Sequence, residues 1–248
     1  MLKPFADAHR GAFAFMLACP LLFLVPVAAE AVQHLAEAAI GFYDGAIQAK
    51  AVQFSPVRMG FGTIKVIALL LPGYWAMRWF AWGDAARAGR PERQALRRFL
   101  PLWLFRIAMA LPGIWGPVVL GAEHLRIAAW AIGALLLLSF PLDILLARWY
   151  ASAPLGVRCG PIRSIRAIAP VLLWAIGFNL LTILPAMTVH YALGFAAMKG
   201  PDGAKAMLLG IDSCFVGFLA VLIVAVTYEI DRHARGRAST GDVPVDGG

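Results

Sequence analysis

Six long apolar stretches, separated by short polar connections, dominate the chain. They lie at about 12–33, 59–81, 99–121, 127–148, 168–193 and 206–229. A transmembrane helix needs about 20 mainly apolar residues, so this pattern predicts an all-α polytopic membrane bundle of six transmembrane helices. The spans group into three helical hairpins, which either represent a threefold repeat or reflect only the residues common in membrane helices.

The composition supports this interpretation. Hydrophobic residues make up 61% of the chain and charged residues 15%, whereas a soluble domain is about 45–50% apolar and about 25% charged. A soluble globular protein is therefore excluded. The six spans also leave little room for a water-soluble catalytic domain.

Lysine and arginine residues are concentrated on every second connection. The N-terminus, the 82–98 loop, the 149–167 loop and the C-terminus carry most of them, so the positive-inside rule places both ends of the chain in the cytoplasm. The net charge of +8 thus lies beside membrane spans and not on a free basic face, and we expect no nucleic-acid partner.

The two central cytoplasmic loops are rich in arginine, which suggests a surface for anionic lipid headgroups or for a protein partner, a second copy included. The candidate binding residues are Arg87, Arg90, Arg93, Arg97, Arg98, Arg158, Arg163 and Arg166. Our leading hypothesis is a non-enzymatic accessory or scaffold protein that acts through these loops.

Two segments are expected to lie outside the membrane. Residues 34–58 alternate apolar and polar positions at helical spacing and predict an extracytoplasmic amphipathic segment, either an extension of the first helix or an interfacial helix. Its apolar face would comprise Leu35, Ala39, Phe42, Ala46 and Ala49. Residues 236–248 are small and polar, which predicts a disordered cytoplasmic tail.

Charged residues inside the spans need partners, because an isolated charge in a bilayer is costly. Arg106 and Asp143 lie at similar depth in two antiparallel spans, which predicts an ion pair. Lys65 lies near the outer end of its span, where Asp212 or Glu30 could pair with it. The alternative hypothesis is that these five residues line the path of a transporter for a small solute, a lipid or an ion.

Three histidines are expected on the outer side: His34, His124 and His190. Imidazole and carboxylate groups are zinc ligands, but the histidines show no tight ligand spacing. We therefore interpret them mainly as polar residues at span ends and expect no cofactor. A membrane enzyme with an outer His/Glu site remains a third hypothesis.

Recognisable catalytic motifs are absent from the sequence, including His-Glu-x-x-His and Gly-x-Ser-x-Gly. Neither is there an acidic cytoplasmic motif suited to holding magnesium on a lipid pyrophosphate. The protein is therefore expected not to be an enzyme.

Two loop segments carry a family resemblance. RWYASAP at 148–154, followed by GPIRS at 160–164, and GRPERQALRR at 89–98 resemble the loops of uncharacterised bacterial six-helix inner-membrane proteins. That group includes the membrane domain attached to some glycerophosphodiester phosphodiesterases. The resemblance implies a multi-pass protein of the bacterial inner membrane, and it supplies no catalytic residue and no phosphodiesterase site.

The chain departs from the pattern of this group at one position. Residues 155–158, Leu-Gly-Val-Arg, stand where an acidic residue often follows the proline of the first loop.

Overall fold

The structure, a computed structural model, describes residues 1–120 and 125–241, and of residues 125–129, 136 and 238–241 it describes the backbone only. The described ranges are almost entirely helical and contain no strand. The α-helices are α1 (Leu2–Ala18), α2 (Pro20–Ala39), α3 (Ala46–Val52), α4 (Pro56–Leu70), α5 (Pro72–Trp82), α6 (Ala85–Gly89), α7 (Arg93–Leu120), α8 (Leu125–Leu145), α9 (Ala147–Ser152), α10 (Pro161–Ile168), α11 (Leu172–Lys199) and α12 (Asp202–Gly241). Short 3₁₀ turns at Ala153–Leu155 and Ala169–Val171 follow α9 and α10. The predicted all-α bundle is confirmed.

Five segments of the described chain are long and apolar enough to cross a membrane, which is the pattern of a multi-pass membrane protein. They are Pro20–Ala39, Pro56–Trp82, Arg93–Leu120, Pro161–Lys199 and Asp202–Arg237. Trp130–Leu145 and Ala147–Leu155, which meet at a 54° bend, together make a possible sixth.

The first predicted span, 12–33, is divided between two helices. Cys19 leaves the helical conformation, with φ −129° and ψ 54°, and separates α1 from α2. The break has a local cause, because the residue before a proline is disfavoured in the α region and Pro20 follows. The span-length helix is therefore Pro20–Ala39, and α1 packs on α12 through Ala8, Ala12 and Phe15.

The end of α12 also differs from expectation. The helix continues to Gly241, so residues 236–241, which were predicted to be disordered, are helical. An ion pair of 3.1 Å between Arg235 Nη2 and Asp231 Oδ2 links successive turns just before them. The rest of the predicted tail, 242–248, lies outside the described residues.

Helix α12 forms the centre of the bundle and packs against α11, α2, α1, α5 and α9. Its approach to α2 is close, since a Cβ added at Gly217 would lie 2.4 Å from Val27 Cγ2. Helices α2 and α4, α7 and α8, and α11 and α12 also pack as neighbours. The central position of α12 brings residues of α2, α4 and α11 to its first half.

The predicted amphipathic segment begins within α2, where apolar and polar side chains differ in exposure. Leu35 is 71% exposed, while His34 is only 7% exposed and Glu37 is buried. In a membrane the lipid-facing side is apolar, and polar groups turn inward to find partners.

Candidate functional site

Buried and half-buried polar side chains from four helices converge around the first half of α12. We call this group the histidine–carboxylate cluster. Its members are Glu30, Gln33, His34, Glu37, Tyr43, Arg58, Lys65, His190 and Asp212. They come from α2, the turn after it, α4, α11 and α12.

His34 is held on both sides of its ring. Its Nε2 atom lies 3.0 Å from Asp212 Oδ2 and 3.3 Å from Glu30 Oε1. Its Nδ1 atom lies 2.7 Å from the hydroxyl oxygen of Tyr43. The imidazole therefore joins α2, the following turn and α12.

Tyr43 connects His34 to Glu37 through its hydroxyl group. The hydroxyl donates a hydrogen bond of 2.7 Å to Glu37 Oε2, and Arg58 Nε donates one of 2.7 Å to Glu37 Oε1. Burial, followed by the nearby Glu37 carboxylate, raises the pKa of the Tyr43 phenol above its usual range. The phenol consequently keeps its proton and remains the donor to Glu37.

The remaining charges of the cluster are also paired. Lys65 Nζ lies 2.9 Å from Glu30 Oε1 and 2.7 Å from Glu30 Oε2. His190 Nδ1 lies 2.8 Å from Asp212 Oδ1. Of the two partners proposed for Lys65, the structure provides Glu30, while Asp212 is shared by the two histidines.

The cluster borders a cavity of about 260 Å³. One oxygen each of Glu30 and Asp212 and one nitrogen of His34 lie within 4.8 Å of one another, an arrangement that could hold a metal ion. His190 is part of the same cluster, whereas His124, the third predicted histidine, lies outside the described residues. The sequence identified most of these side chains, but not their convergence on Asp212.

Arg106 and Asp143 lie together at a different place. Arg106 Nη2 is 3.6 Å from Asp143 Oδ2, and the hydroxyl of Tyr150 donates a 2.6 Å hydrogen bond to Asp143 Oδ1. All three side chains line a cavity of about 480 Å³ that has no lining residue in common with the cavity of the cluster. The five charged residues considered for a transport path thus divide between two cavities.

The predicted binding arginines lie in α6, α7 and α10 and in the loops beside these helices, and all but the half-buried Arg98 are exposed. Arg158 and Arg163 line two adjoining cavities, of about 390 Å³ and about 410 Å³. Arg148 and Arg235 complete the first, and Arg98 and Trp149 border the second. We call this pair of cavities the arginine pocket.

The other predicted arginines lie outside the arginine pocket. Arg87 stacks on the ring of Trp82, with its guanidinium carbon 3.9 Å from the ring centroid. Arg90, Arg93, Arg97 and Arg166 are exposed and line neither cavity.

Acidic groups are scarce in the arginine pocket. Asp231 lies 3.7 Å from Arg148 and 3.1 Å from Arg235. Arg98, Arg158 and Arg163 have no ion-pair partner within the described part of the chain. Cys159 lines both cavities, and burial raises the pKa of its thiol.

Arg78 is a buried arginine whose contacts were not expected from the sequence. It is 1% exposed, and its guanidinium bonds Glu92 Oε2 at 2.8 Å and the carbonyl oxygens of Arg87 and Pro154 at 3.1 and 3.2 Å. Tyr74 and Trp82, four residues to either side, stack against it. This arginine fixes the loops that carry the predicted binding residues.

The chain matches no protein-family model, no curated protein and no solved structure.

Proposed function

We propose that this chain is a six-span protein of the bacterial inner membrane, with both ends inside, that binds the phosphate headgroups of anionic lipids in the arginine pocket. It would act as a non-enzymatic accessory or scaffold protein. The observation that carries the proposal is that Arg158 and Arg163 line both cavities of the pocket and have no acidic partner in the described part of the chain.

The residue type suits a phosphate ligand. The guanidinium of arginine presents donors in a planar fork that can bond two phosphate oxygens at once. Basic residues near an anionic membrane surface contribute about 1 kcal/mol each. Arg98, Arg148 and Arg235 border the same cavities and add further positive charge.

The start of α10 adds a second kind of donor. Gly160 is its N-cap, lines one cavity of the pocket and offers no side chain to accept from the first backbone N–H groups. Helix N-termini attract anions through such groups and through the helix dipole. Trp149, at the rim of the same cavity, fits the interfacial position that tryptophan favours in membrane proteins.

The transport hypothesis has weaker support. A path needs charged or polar groups that line one continuous cavity, but Lys65, Glu30 and Asp212 lie in one cavity while Arg106 and Asp143 line another. Each of these charges also has a partner at short range. The pairs therefore favour a structural role over a transport path.

Native mass spectrometry can test the proposal with delipidated full-length protein in detergent. The protein is offered phosphatidylglycerol or phosphatidylcholine, and the bound fraction of each lipid is measured. We expect a preference for phosphatidylglycerol, and a double variant R158Q/R163Q should bind that lipid at least tenfold more weakly, a change of about 1.4 kcal/mol.

The matched control is R93Q/R97Q, which removes the same charge from exposed residues outside both cavities. It should retain most of the binding. Equal loss in the two double variants would reduce the effect to net charge. Unchanged lipid binding in R158Q/R163Q, together with loss of a co-purifying protein, would instead indicate a protein partner.

A further inference from the structure

We propose that the histidine–carboxylate cluster is a binding site for a divalent transition-metal ion such as zinc, with His34, Glu30 and Asp212 as its ligands. This site is separate from the arginine pocket and does not depend on the lipid-binding function. The argument rests on the placement of donors, on their outer partners and on charge.

The first step concerns the proton on His34. The single proton of the Tyr43 hydroxyl is donated to Glu37, so the Tyr43 oxygen must accept a hydrogen bond from His34 Nδ1. This places a proton on Nδ1, and in the neutral ring the lone pair of Nε2 then faces the carboxylates of Asp212 and Glu30. A metal cation placed among these three atoms would be bound by all of them.

The distances suit a metal ion in that position. Zinc bonds histidine nitrogen and carboxylate oxygen at about 2.0–2.2 Å, and tetrahedral geometry then separates its ligand atoms by about 3.3 Å. His34 Nε2 lies 3.0 Å from Asp212 Oδ2 and 3.3 Å from Glu30 Oε1. The two carboxylate oxygens are within 4.8 Å of each other, so a small rotation of one side chain completes the triangle.

Each of the three proposed ligands also has a partner outside the triangle of donor atoms. Tyr43 contacts Nδ1 of His34, Lys65 lies 2.9 Å from Oε1 and 2.7 Å from Oε2 of Glu30, and His190 lies 2.8 Å from Oδ1 of Asp212. Such second contacts fix the orientation of metal ligands and tune their affinity.

Charge also favours an added cation. Glu30, Glu37 and Asp212 supply three negative charges, and Arg58 and Lys65 supply two positive ones. One negative charge is left over in this count, and either a proton or a metal ion at His34 Nε2 can balance it. A divalent ion would change the net charge of the cluster from −1 to +1. The adjoining cavity of about 260 Å³ has room for a hydroxide or another anionic ligand at the fourth coordination position of the ion.

The test uses zinc as the probe. Full-length protein in detergent is stripped with a chelator, loaded with zinc chloride, separated from free metal by gel filtration and analysed by inductively coupled plasma mass spectrometry. Wild-type protein should retain about one zinc ion per chain. The variants H34N and D212N should each lower the retained zinc at least about tenfold.

Two matched variants control for the substitutions themselves. H9N changes a histidine on α1 whose ring bonds the carbonyl of Phe5, and D143N changes the carboxylate beside Arg106. Both variants should retain as much zinc per chain as the wild-type protein. Retention by H34N and D212N equal to that of these controls would overturn the proposal.

Wild-type protein alone gives a second readout, which stands even if a cluster variant fails to fold. X-ray absorption at the zinc edge should show only nitrogen and oxygen neighbours at about 2.0–2.2 Å. A sulfur neighbour, or retention of less than about 0.1 zinc ion per chain after loading, would contradict the assignment. A proton on Nε2 would then account for the contacts of His34.

Discussion

His34 Nε2 lies 3.0 Å from Asp212 Oδ2, although 178 residues separate the two in the chain. Both side chains are buried, with 7% and 0% of their surface exposed. The contact joins α2 to α12 among mainly apolar helices, where each group would be costly to bury alone. It is therefore both a structural link and the centre of the proposed metal site.

The first prediction concerns the energetic coupling of these two residues. In metal-free protein, H34N and D212N should each lower the free energy of unfolding, and the double variant should be less destabilised than the sum of the two by about 1 kcal/mol or more. Unfolding by sodium dodecyl sulfate in mixed micelles measures all three variants. Additivity within about 0.3–0.5 kcal/mol would show that the contact contributes no coupling.

The second prediction concerns the hydroxyl of Tyr43. Tyr43→Phe leaves His34 Nδ1 and Glu37 Oε2 without the hydroxyl that contacts both of them. We therefore expect the free energy of unfolding to fall by about 1–3 kcal/mol in the same assay. Tyr191→Phe is the control, because Tyr191 is 58% exposed. Equal stability of the two variants would mean that the hydroxyl is dispensable.

The third prediction addresses Arg78. Arg78→Lys keeps the charge but removes the planar fork that bonds Glu92, Pro154 and Arg87 together. We expect the free energy of unfolding to fall by about 2 kcal/mol or more, because breaking a buried ion pair typically costs about 3–5 kcal/mol. In a thermal unfolding series with the exposed Arg93→Lys as reference, indistinguishable midpoints would contradict this role.

The fourth prediction tests the close packing of α12 on α2. A methyl group at Gly217 would lie 2.4 Å from Val27 Cγ2, and the stiff branched side chain of valine cannot easily move away. Gly217→Ala should therefore lower the free energy of unfolding by about 1–3 kcal/mol. Gly210→Ala, on the same helix with open space around it, should be neutral or slightly stabilising, and the reverse order of the two variants would refute the packing described.

The sequence predicted the parts of the fold that depend on local pattern and depth. The apolar stretches indicated the helical bundle, and the short connection between two antiparallel spans placed Arg106 beside Asp143. Similar depth also made Glu30 a candidate partner for Lys65. These inferences need only the rise per residue and the alternation of direction along the chain.

The order in which the helices pack against one another could not be predicted from the sequence in the same way. Asp212 meets His34 and His190 because α12 lies at the centre of the bundle, and no periodicity in one sequence reveals that position. Nor does the spacing of Leu35 and His34 tell which of the two faces the protein, since lipid reverses which side of a helix is polar.

The contacts of Arg78 did leave a signal in the sequence. Tyr74 and Trp82 stand four residues before and after it, so both rings lie on its face of a helix, where aromatic groups can stack on a guanidinium. The carbonyl partners from the loops could not be foreseen, because loop paths depend on tertiary packing.

The most direct test of the proposed function uses Cys159, which lines both cavities of the arginine pocket. Replacement of Cys19 and Cys214 by alanine leaves it as the one thiol of the chain. Its rate of modification by N-ethylmaleimide is then measured at one mildly alkaline pH in nanodiscs of phosphatidylglycerol or phosphatidylcholine. Bound headgroups should slow the reaction severalfold in phosphatidylglycerol, and R158Q/R163Q should abolish the difference. Equal rates in the two lipids, or the same slowing in the double variant, would contradict headgroup binding in the arginine pocket.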